Sequence, residues 1–140
     1  MSARILHVSV PVNEPRRAAE LLARLTAGVV TSFRARGLEG AYVCGWNLEN
    51  NELIEFIPHD HVLEPDPHSV VFARTSAPAI ERSAIHVQIE TPVALSQIRA
   101  LADEHGLLHG FRHRGTSAVY EVWIEPGLLI ELVAPWRSQN

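Results

Sequence analysis

Lysine is absent from the 140-residue sequence, so all of its side-chain cations are arginine or histidine. A Schiff-base enzyme and a P-loop both need an amine at a fixed place, and both are excluded. Cysteine is nearly absent as well: Cys44 stands alone in the apolar run Ala41 to Trp46, where burial is expected. One cysteine excludes an intrachain disulfide and any multi-cysteine zinc site, and it fits a reducing compartment. No window approaches the roughly eighteen uncharged apolar residues of a membrane span, and the stretch before Pro11 is too short for a secretory signal. A cytoplasmic protein without a membrane partner is therefore expected. Positive charge is also scarce, with 12 basic against 16 acidic residues and a net charge of −4. That balance leaves no surplus for phosphate backbones and argues against a nucleic-acid partner.

What the sequence does have is a sizeable hydrophobic fraction, 46%, and eight histidines. The length suits a single domain over 1–140. Ile5 to Val12 alternates like a strand, and Asn13-Glu14-Pro15 reads as a cap followed by a proline suited to the first helical turn. Pro15 to Ala27 carries Ala18, Ala19, Leu21, Leu22 and Leu25 at helical spacing, and Gly28 ends the helix. Strand-like runs follow around Val29 to Phe33, Ala41 to Trp46 and Leu53 to Ile57, with turn residues between them. The order is β-α-β-β-β. The second half repeats it: a strand over Ala84 to Glu90, Thr91-Pro92 as cap and first-turn proline, a helix over Val93 to His105, then strands over Leu108 to His113, Ala118 to Ile124 and Leu128 to Val133. Ile5-Leu6-His7-Val8 aligns with Ala84-Ile85-His86-Val87, and Leu53-Ile54-Glu55-Phe56 with Leu129-Ile130-Glu131-Leu132. This is an internal duplication. The first module covers about 4–58, the second about 84–136, and 59–83 is a Pro-, His- and Asp-rich connector, read as a mobile loop whose scattered His59, His61 and His68 need no metal, with a metal-binding His59-Asp60-His61 pair as the alternative.

Each repeat thus starts with a histidine in its first strand and ends with a glutamate in its last, within apolar β stretches where an unpaired carboxylate costs several kcal/mol. If first and last strands are neighbours and the two modules face each other, His7, Glu55, His86 and Glu131 converge. Two imidazoles and two carboxylates suit one divalent metal ion per site, Zn, Ni, Mn, Fe or Co, with room for substrate. Strand alternation puts Ser9, Gln88 and Glu90 on the faces of His7 and His86. Arg112 is placed to meet an anionic substrate group, with an exposed edge strand as the alternative reading. Trp46 is a further candidate for the cavity wall. Whether Trp46, Trp123, Tyr42 and Tyr120 line the cavity or pack beneath the helices turns on register.

A duplicated β-α-β-β-β module with these histidines and glutamates resembles the vicinal oxygen chelate superfamily, which includes glyoxalases, bleomycin resistance proteins and extradiol dioxygenases. Pro126-Gly127-Leu128-Leu129-Ile130-Glu131-Leu132-Val133 is similar to the family's usual ending, although the acidic residue before it is Glu125 and the turn is one residue shorter. The resemblance implies an α+β fold in which two tandem βαβββ modules form a curved eight-stranded cup with helices outside. The His-Glu-His-Glu pattern is similar to that of glyoxalase I. It implies a metal-dependent lyase or isomerase acting on a small oxygen-rich substrate through an enediolate, with Glu131 or Glu55 as the base. A ring-cleaving Fe(II) dioxygenase and a metal-free drug- or metabolite-binding protein are the alternatives within the same superfamily. Members pair their modules within one chain or between two, and a homodimer is expected.

Overall fold

The computed structural model describes residues 1–115 and 117–133, apart from the side chains of Arg114 and Ser117. Thr116 and residues 134–140, among them Trp136 at the end of the second repeat, lie outside the described residues. The chain runs β1 (His7–Val12), α1 (Pro15–Thr26), β2 (Val29–Ala35), β3 (Leu38–Asn47), β4 (Glu52–Pro58), β5 (His61–Glu64), β6 (Val71–Arg74), β7 (His86–Glu90), α2 (Leu95–Glu104), β8 (His109–Arg114), β9 (Ser117–Glu125) and β10 (Leu128–Val133). The α+β class and both βαβββ modules are as expected. The eight module strands lie in two four-stranded sheets, in the orders β1-β4-β3-β2 and β7-β10-β9-β8. In each the first strand runs parallel to the last, as a strand-helix-strand crossover requires, and the other pairings are antiparallel.

Alternation then decides which side chains go where. The inner faces carry Val10, Val12, Ile54 and Phe56 in one sheet and Val122, Ile124, Ile130 and Leu132 in the other. Helix α1 adds Leu21, Leu22 and Leu25 and α2 adds Ile98 and Leu101, and all of these belong to a single buried cluster. Both modules therefore share one core, built on the helix-covered sides of both sheets. Polar ties fasten them further: Thr91 Oγ1 donates to the Leu25 carbonyl at 2.7 Å, and Arg24 reaches Glu104 at 3.5 Å. No helix among the described residues is long and apolar enough to cross a membrane.

Three local readings are corrected. Asn13 is not the helix cap; its side chain is taken by the Ile80 backbone on both sides, accepting from N–H at 2.7 Å and donating to the carbonyl at 2.9 Å. The cap position belongs to Glu14, whose side chain makes no capping bond. Helix α2 begins at Leu95, after Ala94, because Thr91 Oγ1 is committed to Leu25 and to the Val93 N–H, which leaves Pro92 outside the first turn. The connector is not all loop: β5 and β6 form an antiparallel hairpin, and Phe72 packs into a second buried cluster with Leu38, Ala41 and Ile57. Asp60 anchors its base, bonded to His61 at 2.7 Å and Arg74 at 3.2 Å. Desolvation works against the Asp60 charge, but those two partners outweigh it and hold the carboxyl below its ordinary value.

Candidate functional site

The face of each sheet that turns away from the shared core carries the conspicuous polar residues. In the first sheet the register sets His7 beside Leu53 and Ser9 beside Glu55. In the second it sets His86 beside Leu129 and Gln88 beside Glu131. The duplication thus survives down to individual strand pairs. On the first face His7 Nε2 lies 3.1 Å from Glu55 Oε1, and the other ring nitrogen lies 2.6 Å from the Asn51 side-chain amide. On the second face the His86 Nδ1 lies 3.0 Å from the Ala84 carbonyl. Both glutamates are buried, whereas His7 and His86 remain exposed. That combination keeps the carboxylates fixed while leaving each imidazole reachable from solvent.

Within one chain the structure brings His7 and Glu55 into contact and sets His86 and Glu131 on one face, and it does not assemble the quartet. Among the described residues no three His, Cys, Asp or Glu side chains come close enough to hold a metal ion. The physical reason is the shared core: it joins the sheets through their inner faces, so the His7/Glu55 and His86/Glu131 faces look outward from it. The donor chemistry itself fits a divalent cation, since each face offers one imidazole and one carboxylate, and two such faces supply a mixed nitrogen and oxygen set whose charges offset the ion.

Of the other candidates, Ser9, Gln88 and Glu90 lie on the outer faces, as alternation requires. Arg112 does too, beside Val119, with its Nε 3.7 Å from Glu121 Oε2. Trp46 does not join them. Its indole N–H donates to Thr26 Oγ1 at 3.0 Å, behind the sheet next to α1. Tyr42 and Tyr120 pack on the inner side, while Trp123 sits beside Leu129 on the outer face.

Sequence reasoning missed Glu121. It is buried on the outer face of β9, directly opposite Glu131. The first sheet has Val43 at the equivalent place, opposite Glu55. Like charges directly across a strand pair are unfavourable, so a departure from the repeat of this kind sets the second face apart as the more acidic one. Gly110, the neighbour of Glu121 on β8, makes room for the Arg112 guanidinium, whose Nη1 would lie 2.8 Å from a side-chain Cβ there. A row of Arg112, Glu121, Glu131 and Gln88 therefore crosses the second face. The signal was the alternation of β9 with Trp123, unreadable until the register was known. A cavity of about 790 Å³ lies elsewhere, at the junction of the modules, with Arg17, Arg82, His105, Leu108 and Trp123 in its wall.

No protein-family model matches the sequence, and no curated protein is significantly similar to it. Solved structures are similar in fold. An integron cassette protein from the mobile metagenome of V. cholerae shares 15% identity at a TM-score of 0.59, over 96% of this chain and 98% of its own. A possible glyoxalase from Bacillus cereus shares 16% identity at a TM-score of 0.56, over 94% of this chain and 99% of its own. The fosfomycin resistance protein FosX from Listeria monocytogenes, in a mutant form with Mn(II) and 1S,2S-dihydroxypropylphosphonic acid, shares 12% identity at a TM-score of 0.59, over 96% of this chain and 93% of its own. Paired βαβββ modules define the class. The chain has the fold of the vicinal oxygen chelate superfamily.

Proposed function

We propose that the protein is a metal-dependent enzyme of the glyoxalase I type, a lyase or isomerase acting on a small oxygen-rich substrate, working as a cytoplasmic homodimer. The reading rests on one observation above the rest: the His-and-buried-Glu pair recurs on both outer faces in the same strand register. Because the two faces of one chain look away from each other, the site is completed by the first-module face of one copy and the second-module face of another. His7, Glu55, His86 and Glu131 would then hold one divalent ion of the Zn, Ni, Mn, Fe or Co group. The bound metal supplies polarisation of two neighbouring substrate oxygens, which acidifies the adjoining C–H bond. The residues do the rest. Glu131 or Glu55 accepts the proton, the exposed Ser9 and Gln88 side chains offer hydrogen bonds to substrate oxygens, and Arg112 meets an anionic group if the substrate carries one. The FosX relative, solved with Mn(II) and a dihydroxyphosphonic acid, supports the metal and the oxygen-rich ligand class.

Metal analysis of the untagged protein after reconstitution tests this reading. One divalent ion per chain is expected in the wild type, with loss in His7→Ala and Glu131→Ala. No stoichiometric metal in the wild type would sink the proposal. That result would favour a metal-free small-molecule binder, for which the cavity at the module junction is the supporting observation.

A further inference from the structure

The duplication fills one corner of the first module and leaves the equivalent corner of the second open. At the end of α1 the Trp46 indole N–H donates to Thr26 Oγ1 at 3.0 Å, and a Cβ on Gly28 would lie 2.7 Å from Cys44 Sγ and 3.2 Å from the indole nitrogen. That corner has no room left. At the end of α2 the tryptophan of β9, Trp123, stays on the outer face beside Leu129, and the corner holds the cavity of about 790 Å³, bordered by His105, Gly106 and Leu107. Small-molecule sites have volumes of roughly 300–1,000 Å³. The wall is drawn from both modules, with Arg17 on α1, Arg82 at the end of the connector and Leu108 after α2.

Both arginines are short of acceptors. A guanidinium has five N–H donors, yet half-buried Arg17 reaches only the Ile124 carbonyl, from Nη1 at 3.5 Å. Among the described residues neither Arg17 nor Arg82 forms an ion pair, unlike Arg4, Arg16, Arg24, Arg74 and Arg112. Glu14 and Glu81 border the same space without taking up either guanidinium, and the Glu125 carboxylate is committed to the N–H groups of Asn13 and Glu14. Beside these cations stands an apolar surface, with Leu108 65% exposed. We infer that the cavity is a second binding site, for a small organic anion whose carboxylate accepts from Arg17 and Arg82 and whose apolar body lies on Leu108. The site lies on the core side of the sheets, apart from the outer faces, and does not depend on the metal-site reading.

Titration of the full-length chain with benzoate, followed by ¹H–¹⁵N correlation spectra, tests this, with benzamide and benzylamine as the neutral and cationic probes of the same shape. Benzoate is expected to give saturable shifts at the backbone of 105–108 and at the Arg17 and Arg82 side-chain N–H groups, with a Kd of about 1 mM for so small a ligand. Benzamide should bind about tenfold more weakly, since it lacks the charge-assisted bonds. Arg82 and Leu108 are exposed, so their variants keep the fold. Arg82→Ala should weaken benzoate about fivefold, and Leu108→Glu, which sets a carboxylate in the wall, should abolish saturation. His7→Ala and Glu131→Ala should bind benzoate as the wild type does. Benzamide or benzylamine binding as tightly as benzoate would overturn the anion site, as would an Arg82→Ala variant of unchanged affinity. Shifts that do not saturate, or that centre on His7 and His86 and vanish in His7→Ala, would overturn the cavity as their location.

Discussion

Glu125 sits just before the turn into β10, yet its carboxylate serves the other module. It accepts the N–H of Asn13 at 2.7 Å and of Glu14 at 2.8 Å, at the turn from β1 into α1. These donors precede a helix whose N-cap side chain makes no bond, so the carboxylate satisfies backbone groups that would otherwise be stranded and adds favourable charge near the helix start. Glu125→Ala strands both donors and is expected to cost about 2–4 kcal/mol, read as a lower midpoint in chemical denaturation. An unchanged midpoint would show that solvent replaces the carboxylate at no cost. Cys44 makes the complementary case of a group kept silent. It is fully buried beneath α1, and a side chain on Gly28 would approach its sulfur to 2.7 Å. Burial pushes the thiol up to about 11, against a smaller opposing effect of Thr26. The thiolate is therefore scarce below that pH, and reactivity needs the thiolate. The folded protein should leave a disulfide-type thiol reagent unconsumed at about pH 8 and consume one equivalent after denaturation. Rapid reaction of the native protein would overturn this account.

At the scale of elements, the β5–β6 hairpin is held by one close approach. Gly37 has φ at +78°, and a Cβ there would lie 2.0 Å from the Phe72 carbonyl oxygen. The Phe72 N–H meanwhile donates to the Arg36 carbonyl at 2.9 Å. Gly37→Ala is barred both by backbone conformation and by backbone contact, so β6 must move and Phe72 must leave its cluster with Leu38, Ala41 and Ile57. The expected loss is roughly 2–4 kcal/mol, with faster amide exchange across 61–74 than across the two large sheets. Equal exchange in both regions would mean that the hairpin does not yield first. Nothing in the sequence announced this hairpin, because two four-residue strands separated by Pro65 and Pro67 carry too little alternation to stand out. The longer elements were legible for the opposite reason. Apolar spacing over α1 and the near-continuous apolar runs of β4 and β10 agree with where those segments are buried. His7, Glu55, His86 and Glu131 were legible only because the duplication wrote them twice. Glu121 was hidden because a carboxylate opposite a carboxylate is a fact of register, which no single strand reveals. Trp46 illustrates the same limit: β3 shifts register between Gly45 and Asn47, and its indole falls on the α1 side.

At the scale of the whole molecule, local pattern does not choose between modules that face each other and modules that share a core, since both arrangements use the same inward and outward alternation. In this chain the inner faces are joined, and the outer faces each carry one imidazole and one buried carboxylate. Strand β1 and the residues just before it leave Ile5, Leu6 and Val8 exposed at the His7 edge. Apolar exposure beside an unpaired sheet edge favours pairing with another chain. If each complete site joins the first module of one copy to the second module of another, then defects in different modules complement each other. A heterodimer of His7→Ala and His86→Ala chains has one site carrying both defects and one site carrying neither. Either variant alone should lack tight metal binding. Mixing equal amounts after unfolding and refolding gives heterodimers in half of the dimers, so about a quarter of the wild-type sites should return. Mixing His7→Ala with Glu55→Ala gives no complementation, because both defects lie in the first module and every site then carries one. Recovery in the first mixture and its absence in the second would establish sites shared between chains. Recovery in neither, with each variant folded and dimeric, would overturn the shared site and place the four residues in two independent faces.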